Sequence, residues 1–198
     1  MNVLIAVASK HGSTREIAEV IGRVLAEGGL TVVVRKPTEV SDLNRYDAVI
    51  VGSALYFGQW QSEAMMFVRT HAHRLDRVPV WTFSSGEIVL PDIDQSARNS
   101  HLVALSNPLE HRHFGGRLDR SRLNTVERML IERVQAEDSD QRDWNEIRAW
   151  AKAIALTLQE MPHLDEVEST TTCAAGERQP GVGPSPGSSG GKGDAHAW

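Results

Sequence analysis

"NVLIAVASKHGSTREIAEVIG", residues 2–22, is the stretch on which the fold turns. Its first seven residues, Asn2–Ala8, form an almost unbroken apolar run, the pattern of a strand buried on both faces of a parallel sheet. A helical pattern follows: Ile17, Ile21, Val24 and Leu25 fall on one stripe, and Gly28 and Gly29 end it. Between the two lies a small polar loop, Ser9-Lys10-His11-Gly12-Ser13-Thr14. Backbone N–H groups at a helix start are unpaired and carry the positive end of the helix dipole, so they suit an anion such as a phosphate. Gly12 permits close backbone approach, and Ser9, Ser13 and Thr14 add hydroxyl donors. A second reading stays open at this point. Ser13-Thr14-Arg15-Glu16 also fits a capping box, with Ser13 as N-cap and Glu16 reaching back, which would make the loop a helix cap and nothing more.

Working outward, "LTVVV" (30–34), "YDAVIVGSA" (46–54) and "VPVWTFSS" (78–85) read as further strands, and "EAMMFVRTHAHRL" (63–75) as a helix. Residues 92–107 read as a polar helix or irregular segment, and "HRHFGGRL" (111–118) as a fifth strand. Leu123, Val126, Leu130 and Val134 mark an amphipathic helix beginning near Ser121, and "EDSD" (137–140) a solvated loop. A closing helix over 143–159 turns Trp144, Ile147, Trp150, Ala151 and Ile154 toward the body. Trp81 and Phe83, on a strand, default to core. Strands alternating with helices imply right-handed crossovers and a three-layer α/β sandwich. In such sheets ligands bind beyond the carboxyl ends of the strands. The expected organisation is one domain over 1–160 and a disordered Gly/Pro/Ser-rich tail over 161–198.

Composition narrows the function. A chain of 198 residues suits one domain with a real core. A formal net charge of -5 argues against a nucleic-acid partner. No stretch approaches the roughly 18 consecutive apolar residues of a membrane span, and the N-terminal apolar run lacks a basic leader. The single cysteine, Cys173, leaves no intrachain disulfide and no cysteine-based metal site. A cytoplasmic location is expected. His71 and His73 point to different faces of their helix; His111 and His113 share a strand face but lack a carboxylate partner. No metal is expected, and no side chain is assigned a catalytic role, because neither a Ser/His/Asp nor a paired-carboxylate constellation stands out.

Two more loops follow the apolar runs. "GSALYFGQWQ" (52–61) is small at its start, aromatic at Tyr56, Phe57 and Trp60, and punctuated by Gly58. Exposed aromatics at a strand's carboxyl end suit something flat that stacks on them; the other reading is that Tyr56 and Trp60 cover the next helix start. "SSGE" (84–87) is small and polar. Together the three loops have the chemistries to hold a phosphate, a flat ring and the ring's polar edge. Neither G-x-G-x-x-G nor G-x-x-x-x-G-K-S/T is present in the first turn, which argues against dinucleotide and P-loop sites.

These residues resemble the flavodoxin-like family. The first loop is similar to that family's S/T-x-S/T-G-x-S/T phosphate loop, with Ser9, Gly12 and Thr14 in register and His11 in place of a hydroxyl residue. The resemblance implies a five-stranded parallel sheet of order 2-1-3-4-5 with helices on both faces. It is closer to one branch, the menaquinone-dependent protoporphyrinogen dehydrogenases of haem biosynthesis, and covers roughly residues 1–160. "GSTREIA", "YDAVIVGSALYFGQWQSEAMMFVRTHAHRL", "FGGRLDRSRLNTVERMLI" and "RDWNEIRAWAKAIA" look like that branch's phosphate loop, ring loop, extra helix and closing helix.

What the resemblance implies is FMN, bound without covalent attachment. Its phosphate would sit on Ser9, Lys10, His11, Gly12, Ser13 and Thr14. Its isoalloxazine ring would lie between Ser53, Ala54, Leu55, Tyr56, Phe57 and Gly58 and the loop Ser84, Ser85, Gly86 and Glu87. The implied activity is an FMN-dependent oxidoreductase that takes a porphyrinogen as substrate and a quinone or other redox partner as acceptor. It would work in the cytoplasm or peripherally at the inner face of the membrane. One departure bears on that membrane contact. Residues 119–136 mix Arg120, Arg122, Arg128 and Arg133 with Asp119, Glu127 and Glu132. That pattern reads as a helix packed on the body with a solvated outer face, not as a basic membrane-binding one. Two other classes stay open: a small FMN electron carrier with no substrate chemistry, and a flavodoxin-like interaction domain without flavin.

Overall fold

The N-terminal apolar run forms strand β1, Asn2–Ala8, and every residue after Asn2 is buried, as a strand walled by helices on both faces must be. In the computed structural model the described residues are 1–56, 58–86, 104–123, 125, 128–129 and 138–161. They belong to one compact unit spanning Met1–Leu164. The expected tail lies, from residue 162 on, outside the described residues, as does Cys173.

Helix α1 spans Ser13–Glu27 and ends at Gly28, as its stripe of Ile17, Ile21, Val24 and Leu25 requires. Strand β2 (Thr31–Arg35) pairs with β1 in parallel, and β3 (Ala48–Tyr56) pairs with β1 on its other side. Next come a short strand β4 (Gln59–Trp60), helix α2 (Ser62–Leu75), β5 (Val80–Ser85) and β6 (Glu110–Phe114). The sheet order is β2-β1-β3-β5-β6, with β4 hanging off β3. With β4 set aside, this is the expected five-stranded parallel path 2-1-3-4-5.

Alternation across β1 builds the two cores. Val3, Ile5 and Val7 face α1 and the closing helix α3 (Trp144–Glu160), and they share that face with Trp81, Phe83, Phe114 and Trp150. Leu4, Ala6 and Ala8 face α2, in a cluster with Val49, Val51, Trp60 and Phe67. Asp143 caps α3, accepting from the N–H groups of Asn145 and Glu146 at 2.8 and 3.1 Å. Trp150 Nε1 donates to Glu110 Oε2 at 2.8 Å, which fastens α3 to the edge strand.

Three expectations need correction. The first concerns β3, which runs two residues past its expected end, to Tyr56, and folds back as an antiparallel hairpin pairing Leu55 with Trp60 and Tyr56 with Gln59. The second concerns "HRHFGGRL", which is not one strand. β6 stops at Phe114, and Arg117–Leu118 form β7, which leaves the main sheet and pairs antiparallel with β8, Ser139–Asp140. Glycine at 116 makes this departure possible, because a Cβ there would lie 2.8 Å from the Cα of Gly86.

The third concerns "EDSD", which is not a free loop. Its Ser139–Asp140 pair is the return leg of the β7–β8 stem, and Asp138 Oδ1 accepts from the Arg120 N–H at 2.9 Å. Ser121 lies in a 3-10 turn, Arg120–Arg122, that precedes the helical residues 125, 128 and 129. Val126, Leu130 and Val134 fall outside the described residues, as do residues 87–103. Among the described residues no helix is long and apolar enough to cross a membrane.

Candidate functional site

Parallel register sets the frame. Ala8 pairs with Ser53, Ser53 with Ser84, and Ala54 with Ser85, so β1 and β5 end in one row with Ser53 and Ala54, where β3 passes on into its hairpin. The loops that leave this row, 9–14, 54–58 and 86 onward, therefore start side by side. The chain turns from β1 to β2 on one side and to β3 on the other, so the row lies at the switch point where α/β sheets bind ligands.

The first loop ends in Gly12, whose φ of 92° is left-handed and favours glycine. Gly12 is the N-cap of α1, and no side chain caps the first turn. This overturns the capping box: Ser13 is already the first helical residue, and Glu16 does not reach back. Glu16 Oε2 instead accepts from Arg142 Nη1 at 2.6 Å. Ser9 Oγ accepts from the Gly12 N–H at 3.1 Å and closes the loop on itself. Thr14 is buried, and its Oγ1 lies 2.9 Å from Ser85 Oγ, so this pair ties the loop to the end of β5. The result is a helix start with uncapped N–H groups, a rigid backbone and no free carboxylate in the loop.

The ring-loop residues meet the first loop from the side. The half-buried Tyr56 ring lies 6.0 Å from the His11 ring, tilted by 42°, and Lys10 Nζ sits 5.5 Å from the Tyr56 centroid. Lys10, His11 and Tyr56 thus form one cluster. Ser53 works inside the hairpin, where its Oγ donates to the Ala54 carbonyl and accepts from the Gln61 N–H, both at 2.9 Å. Trp60 is not a stacking platform. It is 2% exposed in the core beside α2, and its Nε1 donates to Ser84 Oγ at 2.9 Å.

Ser84 is therefore engaged below the row as well as part of it. Its Oγ also lies 3.1 Å from His111 Nε2, while His111 Nδ1 lies 2.8 Å from Thr82 Oγ1. His111 is exposed as a residue, yet both ring nitrogens are held. Burial of the ring, and then the neighbouring His113, push its pKa below the ordinary value. The strand-face expectation for His111 and His113 fits this pairing. Among the described residues no group of three metal-ligating side chains gathers.

Ser53, Ala54, Ser84 and Ser85 lie in the row, and Ser9, Lys10, His11, Gly12, Ser13, Thr14, Leu55, Tyr56, Gly58 and Gly86 follow it in the chain. Phe57 and Glu87 lie outside the described residues. The sequence reading missed Arg142, which sits against the start of α1. The Asp140 carboxylate raises the pKa of Arg142, opposed by burial, and Arg142 in turn holds the Asp140 carboxyl below the usual carboxylate range.

Over 172 residues the chain is 25% identical to the protoporphyrinogen IX dehydrogenase (quinone) of Escherichia coli K12, an alignment spanning 78% of this chain and 95% of that protein. Oxidised flavodoxin 1 from Bacillus cereus superposes with a TM-score of 0.52 at 14% identity, over 82% of this chain and 100% of that one. Two-electron reduced Megasphaera elsdenii flavodoxin gives a TM-score of 0.52 at 14% identity, over 78% and 98%. The model of the flavodoxin domain matches residues 4–145, and this chain belongs to the flavodoxin domain family.

Proposed function

We propose that this chain binds FMN and works as an oxidoreductase of the protoporphyrinogen dehydrogenase kind, with a quinone as electron acceptor. The observation that carries the cofactor is the uncapped start of α1 at Gly12, set in one row with the Tyr56 hairpin and the Ser84–Gly86 loop. A phosphate dianion would suit that start: no side chain caps the first turn, and its acidic residue, Glu16, is paired with Arg142. Ser9 and Ser13 would add hydroxyls, and the described residues of 53–58 and 84–87 would flank the ring. The His11 ring lies 6.0 Å from that of Tyr56, on the side of the proposed ring site.

Bound FMN supplies the two-electron chemistry; the residues of this chain bind, orient and shield. In the reaction proposed, the porphyrinogen loses two electrons and two protons per turnover, and the quinone takes up both pairs and leaves as the quinol. Support for this substrate and acceptor comes from the 25% identity to the Escherichia coli dehydrogenase over nearly its whole length. The electron-carrier reading draws on the likeness to flavodoxins, which concerns the fold.

Titration of flavin-free protein with FMN, followed by flavin fluorescence, tests the cofactor. Saturable quenching in the micromolar range or tighter is expected. Protein that ignores FMN would sink both redox readings and leave an interaction domain. With FMN bound, anaerobic addition of protoporphyrinogen should bleach the flavin, and a quinone should restore its colour. A flavin that exchanges electrons with reductants but not with porphyrinogen would identify an electron carrier.

A further inference from the structure

Arg142 bears on the first loop without facing it. Its side chain is 3% exposed, and all three guanidinium nitrogens are engaged. Nε and Nη2 donate to the two oxygens of Asp140 at 2.7 and 2.6 Å. Nη1 donates to Glu16 Oε2 at 2.6 Å and lies 3.4 Å from the Ser13 carbonyl oxygen. The guanidinium carbon sits 4.5 Å from the Trp144 ring centroid. A group so enclosed has no face to offer a ligand, so any effect it has on an anion at the loop acts through its neighbours.

Those neighbours are the ones that matter. Ser13 opens α1, and Glu16 is the acidic residue of its first turn, where an unpaired N–H array would receive a phosphate. A carboxylate in that turn already draws on the favourable end of the dipole and repels a second anion. Arg142 pairs with that carboxylate, sharing its charge between Glu16 and Asp140, and donates toward the Ser13 carbonyl. Its other partner, Asp140, belongs to the β7–β8 stem, so the loop and the stem are joined through one side chain.

We propose that Arg142 is a positioning residue for the cofactor phosphate: by pairing with Glu16 and Ser13 it keeps the first turn of α1 receptive to an anion. This rests on the FMN reading above and deepens it. Removing the guanidinium would leave an uncompensated carboxylate one turn from the phosphate. The ring of the cofactor would feel little of this, because Arg142 touches none of residues 54–58 or 84–86 by its described bonds.

The test uses the full chain, stripped of flavin, and two probes: FMN, and riboflavin, which carries the ring without the phosphate. Arg142→Gln should weaken FMN about five- to tenfold while shifting riboflavin by less than about twofold. Glu16→Gln should bind FMN as well as the parent or better. The double variant, having lost both charges, should return to within about twofold of the parent. An Arg142→Gln chain that loses FMN and riboflavin equally, or a double variant that fails to recover, would overturn the proposal and reduce Arg142 to a structural tie. Should Arg142→Gln not fold by circular dichroism, Glu16→Gln alone decides, since a loss of FMN affinity there contradicts the assigned role. Parent protein that binds no FMN refutes the cofactor reading itself, an outcome visible before any variant is made.

Discussion

Thr14 Oγ1 and Ser85 Oγ meet at 2.9 Å, each residue 1% exposed, across 71 positions of sequence. The contact locks the first turn of α1 to the last residue of β5, so two of the three loops at the row are held in one rigid frame. Thr14→Val keeps the shape and removes the hydroxyl, leaving Ser85 Oγ buried without this partner. A loss of about 1–2 kcal/mol in urea unfolding is expected, together with weaker FMN binding. Unchanged stability would show that the pair contributes nothing net.

Gly12 has a φ of 92° and a ψ of -18°, in the left-handed region where a Cβ crowds the following carbonyl. Gly12→Ala is expected to cost about 1–2 kcal/mol if the turn is kept. The cheaper response is for the turn to relax, which would move the uncapped N–H groups of α1. FMN affinity should therefore fall more steeply than stability. Comparing denaturation midpoints with FMN titrations separates the two effects, and a chain with lower stability but parental FMN affinity would exclude the loop as the phosphate site.

His111 gives a pH signature. Burial, and then His113, depress its pKa below the value of about 6.5 expected in an unfolded chain. Just below that pH the unfolded chain binds more protons than the folded one, so stability rises with pH across this window. The contribution is present above the unfolded pKa and is lost as pH falls toward the depressed folded value. His111→Gln should flatten the slope of unfolding free energy against pH on the acid side of 6.5. A variant with the parental slope would move the effect to another group.

The parallel frame is legible because strands buried on both faces read as continuous apolar runs, a pattern that β1 keeps from Val3 to Ala8 and β3 from Ala48 to Val51. Local patterns failed where a distant residue decided the outcome. Ser13 to Glu16 matches a capping box in spacing, yet Glu16 is taken by Arg142, 126 positions away. In sequence Trp60 is as suited to stacking as Tyr56; its burial follows from the hairpin that β4 closes and from Ser84, neither readable from the loop itself. The acidic run at 137–140 reads as solvated on composition alone, and only pairing with Arg117 and Leu118 makes part of it a strand. The three loops are legible from their position after each strand, since that rule depends on topology and not on a local motif.

Gly116 supplies the sharpest contrast with Arg142. A Cβ at this position would lie 2.8 Å from the Cα of Gly86 and 3.2 Å from its nitrogen, backbone against backbone, with no flexible side chain to yield. Gly116→Ala must therefore displace either the stem or the loop that begins at Gly86, which the Gly86 N–H anchors to the Phe114 carbonyl at 3.4 Å. A destabilisation of about 1–3 kcal/mol is expected, the usual cost of overpacking. In the FMN reading proposed above, the loop at Gly86 flanks the ring, not the phosphate. Riboflavin and FMN should accordingly lose affinity in parallel for Gly116→Ala, whereas Arg142→Gln separates them. If Gly116→Ala weakened FMN and spared riboflavin, the assignment of residues 84–86 to the ring would be wrong, and the stem would act on the phosphate alone.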